Sequence, residues 1–386
     1  MSESGSLVVD RVIGTHDTGR SGPSVLIICG AHGNEPAGVT AAQQVFATLA
    51  EHSVPSAGRL TAVAGNRAAL ATGQRYVDRD LNRLWTATQI AALDRASPGE
   101  DDVEQSEQRA LLEIFRKLAA EAARVNQPLV VLDLHSTSGP SVPFTVINDT
   151  LESRRLALSN PVPLVLGLEE VLEGTLLDYV EDQGHPYVLF EGGQHRGVST
   201  AASLEAATWH ILVALGSVSA ADVPGFAEHD SKLRQAVAQE PRLLEISYLH
   251  EIQPDNGFEM RPGYRSFAPV AAGDLLATDR HGDVRAPSDG LLMLPLYQPW
   301  GSDGFFIGRP VSRRWLAVSA LVRALGVARV LPLLPGVTRD PDRPDVLRVD
   351  PRIARWLVIE LFHLAGFRRL PAPRDALAFR SRSGAV

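Results

Sequence analysis

The sequence predicts an α/β protein with a mixed central sheet flanked by helices, followed by a smaller C-terminal β-rich domain and a helical tail. Through about residue 235, short apolar runs alternate with helical stretches, which is typical of a sheet covered by helices. After about residue 241, Pro, Gly and Asp recur at short intervals between small apolar runs, and this pattern indicates hairpins. Amphipathic stretches near the C-terminus then indicate helices. The predicted divisions are 1–235, 236–310 and 311–386.

Individual elements follow from the same patterns. Short runs rich in Val, Ile and Leu, bounded by turn residues, predict buried strands. The predicted strands are 7–13, 25–29, 59–64, 130–134, 144–147, 163–166 and 187–191. Longer stretches whose apolar residues recur every three to four positions predict helices. The predicted helices are 37–49, 104–125, 200–215, 315–325 and 351–367.

Composition limits the class of protein. The 386 residues can bury a full core, and 45% hydrophobic with 21% charged residues is ordinary for a globular chain. The formal net charge of −8 argues against nucleic-acid binding. No apolar run approaches the length of a membrane span, and the N-terminus lacks the basic and apolar segments of a signal peptide. We therefore expect a cytoplasmic protein that binds neither nucleic acid nor membrane.

The charge is unevenly distributed along the chain. Residues 311–386 contain fourteen arginines and six acidic residues, so the remainder of the chain is strongly acidic. This surplus indicates a tail that docks on the acidic body of the protein or on a partner subunit. A solvated face of Arg-rich helices explains the composition equally well. The apolar face of the tail helices also makes a homodimer a reasonable expectation.

The first chemically distinctive stretch follows the predicted strand 25–29. Gly30 and Gly33 allow a sharp turn, and His32 and Glu35 lie three residues apart within it. An imidazole and a carboxylate on one tight loop can close on a single metal ion. Because a catalytic zinc site usually has three protein ligands and an open position, a third ligand must come from elsewhere in the fold.

A second strand end supplies that third ligand. His135 lies where the apolar run 130–134 breaks into a Ser/Thr/Gly loop. Asp133 is two residues earlier and therefore projects to the same side of the strand. A carboxylate in that position can orient a ligand imidazole.

Two further segments contain charged groups at strand or turn positions. Arg75 and Arg83 lie in a polar turn with Asn82, and guanidinium groups beside an amide suit carboxylate recognition. A surface salt-bridge patch is the alternative interpretation. Glu191 ends another buried strand at a Gly-rich turn, where a metal hydrolase would need its general base.

Together these segments resemble the succinylglutamate desuccinylase/aspartoacylase family, a branch of the zinc-carboxypeptidase-like fold. The resemblance rests on four motifs that occur in the family's order and with its wide spacing, and it covers roughly residues 7–310. The motifs are G-x-H-G-N-E at 30–35, D-L-N-R at 80–83, D-L-H-S at 133–136 and F-E-G-G at 190–193.

The resemblance implies one zinc ion per chain, with a role for each residue. His32, Glu35 and His135 would bind the metal, and Glu191 would act as general base and acid. Arg75 would polarise the scissile carbonyl. The implied substrate is a small-molecule N-acyl amino acid or related carboxylate, and the implied reaction is hydrolysis of its amide bond. Asn82 and Arg83 would hold its α-carboxylate.

Two positions depart from the family pattern. Arg67 follows Asn66 where family members often have proline, so we expect an additional charge that contacts substrate. The segment 178–182, about ten positions before Glu191, is acidic and has no Arg or Lys. Aspartoacylases carry a basic residue there for an acidic acyl group, so specificity for a succinyl or aspartyl group is not expected to follow from the family.

Two other functions fit the same residues. A metallocarboxypeptidase or peptide amidase would use the same metal and base on a peptide. A non-hydrolytic carboxylate-binding protein would keep the fold without catalysis, although such a protein has no need to keep three ligands and a base.

Overall fold

The computed structural model describes residues 7–253, 255–353, 358–370 and 377–382. The helices and strands alternate through the first 240 residues, and strands dominate afterwards. The α-helices are α1 Ala37–Glu51, α2 Arg67–Thr72, α3 Ala87–Arg95, α4 Val103–Arg124, α5 Leu151–Ser159, α6 Leu176–Asp182, α7 Thr200–Ala214, α8 Phe226–Ala236, α9 Arg313–Ala324 and α10 Val358–Leu364. The strands of the first 251 residues are β1 Val12–Asp17, β2 Ser24–Cys29, β3 Arg59–Ala64, β4 Leu129–Thr137, β5 Phe144–Val146, β6 Leu164–Leu166, β7 Tyr187–Gln194 and β8 Leu243–Glu251.

The remaining strands are short and belong to hairpins. They are β9 Glu259–Met260, β10 Ala268–Val270, β11 Leu275–Asp279, β12 Gly282–Arg285, β13 Gly290–Met293, β14 Asp303–Pro310, β15 Val337–Arg339, β16 Val346–Val349, β17 Phe367–Leu370 and β18 Leu377–Ser381.

One mixed sheet of eleven strands organises the molecule. Its order is β1-β3-β2-β4-β7-β5-β6-β8-β14-β13-β10. The central strands β3, β2, β4 and β7 are mutually parallel, whereas β1 and β5 pair antiparallel with their neighbours β3 and β7. Two large apolar clusters cover the two faces of this sheet. The predicted mixed sheet flanked by helices is confirmed.

The central strands form where the sequence is continuously apolar. Every residue of β4 is buried, because helices cover both faces of a parallel sheet. The predicted strand 7–13 is displaced, and β1 spans Val12–Asp17 instead. As an edge strand, β1 carries polar and exposed residues that a search for apolar runs does not detect.

The β-rich segment is continuous with the main sheet. Strands β8, β14, β13 and β10 extend that sheet beyond β6, and β12, β11 and β9 form a separate three-stranded sheet. A small apolar cluster that includes Met260, Leu276 and Phe305 packs this part of the chain. The division into 1–235 and 236–310 remains a prediction.

The C-terminal extension is not purely helical, and the expectation of a helical tail is corrected here. It contains α9 and α10 as expected, but also the antiparallel sheet β15-β16-β18-β17. Residues 354–357 of the predicted helix 351–367 lie outside the described residues. The strands are only three to five residues long, and arginines interrupt their apolar pattern, so periodicity did not indicate them.

Buried ion pairs attach the extension to the body of the protein. Asp149, which is buried beside β5, binds Arg154 of α5 together with Arg323 and Arg382 of the extension. Arg382 Nη2 also donates to Glu169 Oε1 at 2.7 Å. The arginine surplus of the tail therefore docks on acidic groups of the body, in agreement with the docking interpretation of its composition.

Among the described residues, no single helix has the length and apolar character of a membrane span. The bent pair formed by α9 and the 3₁₀ helix Val327–Leu333, at 76° to each other, reaches that length and composition jointly.

Candidate active site

Three parallel strands carry the candidate residues to one edge of the sheet. His32 and Glu35 follow β2, His135 lies near the end of β4, and Glu191 lies in β7. Strands β2 and β7 flank β4, and His135 is the direct cross-strand neighbour of Glu191. Because the carboxyl ends of parallel strands meet at one edge, residues far apart in sequence converge there.

The turn after β2 is shaped by its glycines. Gly30 has a φ of 65°, in the left-handed region that favours glycine. A Cβ atom on Gly33 would lie 2.0 Å from the carbonyl carbon and oxygen of Ala69, so only glycine fits against that backbone. This close packing holds His32 and Glu35 in a rigid loop and directs both side chains inward.

The side chains of His32, Glu35 and His135 converge and are all buried. One potential ligand atom from each lies within 4.8 Å of the other two. The Nδ1 atom of His32 is 2.8 Å from Glu35 Oε1, and Nδ1 of His135 is 3.2 Å from Glu35 Oε2. The backbone N–H of Ser136 donates to the same Oε2 at 3.0 Å. The three candidate ligands therefore face one another in a space suited to a cation.

Each candidate imidazole has a second carboxylate near its other nitrogen. His32 Nε2 lies 3.2 Å from Asp80 Oδ1. His135 Nε2 lies 3.0 Å from Asp133 Oδ2, at an angle that makes no hydrogen bond, and Tyr187 Oη donates to that carboxylate at 2.5 Å. Carboxylates in this position orient ligand imidazoles and raise their basicity.

The electrostatics of this cluster favour a positive charge at its centre. Burial alone would raise the pKa of Glu35, but His32 and His135 outweigh it and lower that pKa well below its usual range. Burial would likewise lower the pKa of His135, but Asp133 and Glu35 raise it well above its ordinary value. A proton on the imidazole offsets the negative charge of these carboxylates, and a divalent cation can offset it in the same way.

Glu191 stands beside the three candidate ligands with an unused acceptor. Its Oε2 atom is buried and accepts no hydrogen bond from the described residues. Burial raises the pKa of Glu191 to about 8, against the opposing effect of His135. A carboxyl group that titrates near neutrality can both accept and release a proton, as a general base and acid must.

The polar turn after α2 brings Arg75, Asn82 and Arg83 to the same cleft. Arg75 donates from Nε and Nη2 to Asp80 Oδ2 at 3.1 and 2.9 Å, and its Nη1 lies 3.7 Å from Glu35 Oε1. Arg83 Nη2 donates to Asp303 Oδ2 at 2.5 Å. Both guanidinium groups are therefore held in place by carboxylates.

A buried carboxylate outside the cleft stabilises this turn. Glu104, the second residue of α4, accepts the backbone N–H groups of Val77, Asp78 and Arg79 at 2.7, 2.9 and 3.2 Å. Its Oε1 also accepts from Asn66 Nδ2 at 3.0 Å. These bonds satisfy the backbone donors of an otherwise irregular loop, which keeps Arg75 and Asn82 in position.

Arg67 is not part of the cleft, contrary to its expected substrate-binding position. It lies at the first residue of α2 with an exposed side chain, and its Nε donates to the carbonyl of Val9 at 2.9 Å. The side chain of Asn66 caps α2 by accepting from Ala69 N, and this turn directs the following residue outward.

The structure also brings together residues that sequence reasoning did not assign. Asp80 contacts both His32 and Arg75, and its only signal was its place at the start of the D-L-N-R motif. His195 reaches the cleft, where its Nδ1 lies 2.8 Å from Ser136 Oγ. The cleft has a volume of about 150 Å³ and is lined by both polar and apolar side chains.

The fold and the site define a mixed α/β protein with a buried His-Glu-His cluster and a neighbouring carboxyl group at the carboxyl edge of its sheet. Residues 21–158 match the family model of the succinylglutamate desuccinylase/aspartoacylase catalytic domain. A succinylglutamate desuccinylase of Burkholderia lata is 35% identical over 127 residues, which are 33% of this chain and 33% of that relative. The matched region thus spans about a third of that relative's length.

Solved structures share the fold over more of the chain. The succinylglutamate desuccinylase/aspartoacylase of Rhodobacter sphaeroides superposes with a TM-score of 0.55 at 17% identity, covering 77% of this chain and 87% of that one. Murine aminoacylase 3 gives 0.52 at 19% identity, with 76% and 96% covered. Residues 21–158 are thus similar to the catalytic domain of the succinylglutamate desuccinylase/aspartoacylase family, and these solved structures share the fold over about three quarters of the chain.

Proposed function

We propose that this protein is a zinc-dependent amidohydrolase that removes an acyl group from an N-acyl amino acid or a related small carboxylate. The observation that carries the proposal is the convergence of His32, Glu35 and His135 beside Glu191, whose Oε2 atom is buried and unused. Three ligands and an adjacent base are the parts that hydrolysis of an amide at a metal centre requires.

The residues fit a zinc ion by their chemistry. Two imidazoles and one carboxylate form a ligand set found in catalytic zinc sites, and Asp80 and Asp133 stand behind the imidazoles. A zinc ion bound there would act as a Lewis acid and lower the pKa of a water molecule toward about 7. We propose one such ion per chain.

Glu191 and Arg75 would supply the remaining chemistry. The free oxygen of Glu191 accepts a proton from water as the scissile carbonyl is attacked, and the same carboxyl group then delivers that proton to the leaving amine. Arg75, held near Glu35 and Asp80, places a positive charge beside the developing oxyanion.

Asn82 and Arg83 would hold the α-carboxylate of the substrate. Arg83 Nη1 donates to the carbonyl of Asn82 at 2.8 Å, which orients the planar guanidinium along the cleft. A guanidinium group can bind a carboxylate through two parallel N–H donors, which gives direction as well as affinity. Asn82 Oδ1 accepts from Leu176 N, so the side chain of Asn82 has a fixed orientation.

The names of the relatives agree with an amide-hydrolysing function. A desuccinylase, an aspartoacylase and an aminoacylase each cleave an acyl group from an amine. The similarity of this chain to these proteins supports amide hydrolysis as its reaction class but does not identify the acyl group that it removes. A cytoplasmic location and a homodimer remain predictions.

The test is release of free amine from a panel of N-acyl amino acids, before and after chelation and zinc repletion. We expect activity on some members, its loss on chelation and its return with zinc. Hydrolysis only of dipeptides with a free C-terminus would instead support a peptidase on the same fold. Stoichiometric zinc without any hydrolysis would favour a carboxylate-binding protein.

Replacing His32 with alanine should remove the metal. The substitution deletes one of three ligands and leaves Glu35 and His135, which cannot hold a catalytic zinc alone. We expect less than about a tenth of the wild-type zinc content after dialysis, because loss of even an outer-shell partner typically costs about 10–100-fold in metal affinity. The exposed His281→Ala serves as the control and should retain its metal. A full zinc content in His32→Ala would contradict the ligand assignment.

A further inference from the structure

One wall of the cleft is apolar and is backed by the core. Seven aliphatic or aromatic side chains line it, and all seven belong to or pack against the apolar cluster on that face of the sheet. They are Val146, Leu168, Leu172, Leu177, Leu189, Leu294 and Phe306. Because core packing holds them, this wall cannot rearrange to present polar groups.

The apolar wall begins next to the proposed base. Leu189 lies two residues before Glu191 on β7 and therefore projects to the same face of the sheet. Val146 on β5 is the direct cross-strand partner of Leu189. Substrate atoms that lie next to the scissile carbonyl on this side therefore meet aliphatic side chains.

The cationic groups of the cleft are already paired. Among the described lining residues, Arg75 and Arg83 are the only arginines, and no lysine is present. Asp80 holds Arg75 through two hydrogen bonds, and Asp303 holds Arg83 through one. The proposed function assigns the remaining donors of Arg75 to the oxyanion and those of Arg83 to the α-carboxylate, so neither arginine is left for a second anionic group of the substrate.

Arginines of the extension lie close to the cleft, but carboxylates of the body already bind them. Arg382 reaches Glu169, which lines the cleft, but its guanidinium group is shared with Asp149 and Glu170. In the acidic segment before Glu191, Asp178 is bound by Arg368 of the extension. Among the described residues that line the cleft, no arginine or lysine is left to accept an acidic acyl group.

We propose that the substrate carries a single carboxylate, and that its acyl group and its amino-acid side chain are both uncharged and apolar. This inference rests on the proposed function. A second carboxylate would have to give up its hydration against the apolar wall without a cation to replace it. An aliphatic acyl chain instead gains free energy by leaving water for that wall.

Assays of the zinc-loaded protein on four substrates test this proposal. The substrates combine a pentanoyl or a succinyl group with leucine or glutamate, so that each half of the molecule changes charge at nearly constant length. We expect the highest kcat/KM for N-pentanoyl-leucine, with a loss of at least about tenfold for each added carboxylate. Faster hydrolysis of either succinyl substrate or of N-pentanoyl-glutamate would overturn this inference and keep the proposed function. Hydrolysis of none of the four would overturn both.

A substitution in the wall tests whether the wall causes the preference for an uncharged acyl group. Leu172 is half-buried, so Leu172→Arg places a cation on the wall with little disturbance of the core. We expect the ratio of kcat/KM for N-pentanoyl-leucine over N-succinyl-leucine to fall at least about tenfold. The exposed Val318→Arg, outside the cleft, should leave the ratio unchanged. An unchanged ratio in Leu172→Arg would overturn the assignment of this wall, and the four wild-type assays decide the charge preference independently.

Discussion

Replacing Glu191 with glutamine is expected to lower turnover by at least about two orders of magnitude while the metal stays bound. The amide keeps the size and the half-buried position of the side chain but cannot accept a proton. The three proposed metal ligands are other residues, so zinc content should match the wild type. Turnover on an N-acyl amino acid and zinc per chain, measured on the same preparation, separate the two effects.

The matched control for this prediction is Glu228→Gln. Glu228 is an exposed carboxylate in α8 that pairs with Lys232 and does not line the cleft. That variant should keep both its activity and its metal. Near-normal turnover in Glu191→Gln would exclude Glu191 as the base and would return attention to His195, another titratable group that lines the cleft.

Replacing Asp149 with asparagine is expected to lower the free energy of unfolding by about 3–5 kcal/mol. Asp149 is 2% exposed and is surrounded by Arg154, Arg323 and Arg382. Removal of the carboxylate leaves these buried guanidinium groups without their shared anion, which is more costly than loss of the attraction itself. Because two of the arginines belong to the extension, its attachment should weaken as well. Urea unfolding measures the first effect, and limited proteolysis within residues 311–386 measures the second.

The control is an ion pair of similar geometry on the surface. Asp94 binds Arg116 through two hydrogen bonds at 2.9 and 2.8 Å, but both side chains are nearly half exposed. Asp94→Asn should therefore cost less than about 1 kcal/mol. If Asp149→Asn costs no more than this control, the buried cluster does not hold the extension.

The Asp149 cluster also predicts a pH dependence. Burial alone would raise the pKa of Asp149, but Arg323 and Arg382 outweigh it and hold the pKa below its ordinary value. A carboxyl group with a lowered folded-state pKa stabilises the protein above its unfolded pKa of about 4 and loses that contribution as the pH falls. Acid should therefore destabilise the wild type more than Asp149→Asn, which unfolding curves at pH 7 and pH 3 would show.

Sequence patterns predicted the parts of the fold that depend on local periodicity. Strands β2, β3 and β4 and helices α1, α4 and α7 lie within a few residues of their predicted positions, because a continuous apolar run or a stripe of period 3.6 follows directly from burial. The short strands of the extension were missed, since three to five residues interrupted by arginine have no distinct period.

The same distinction holds for the candidate site, where local patterns predicted some residues and long-range contacts placed the others. The sequence by itself determined which imidazoles and carboxylates stand at strand ends, since His32, Glu35, His135 and Glu191 each follow or end an apolar run. Only the tertiary structure decided which long side chains face the cleft: Arg67 turns outward, whereas Arg75 turns inward toward Asp80. The tertiary structure also brought together the side chains of the apolar wall and docked the extension on the body of the protein. A side chain of several rotatable bonds takes its direction from partners that distant segments supply, and no local pattern encodes those partners.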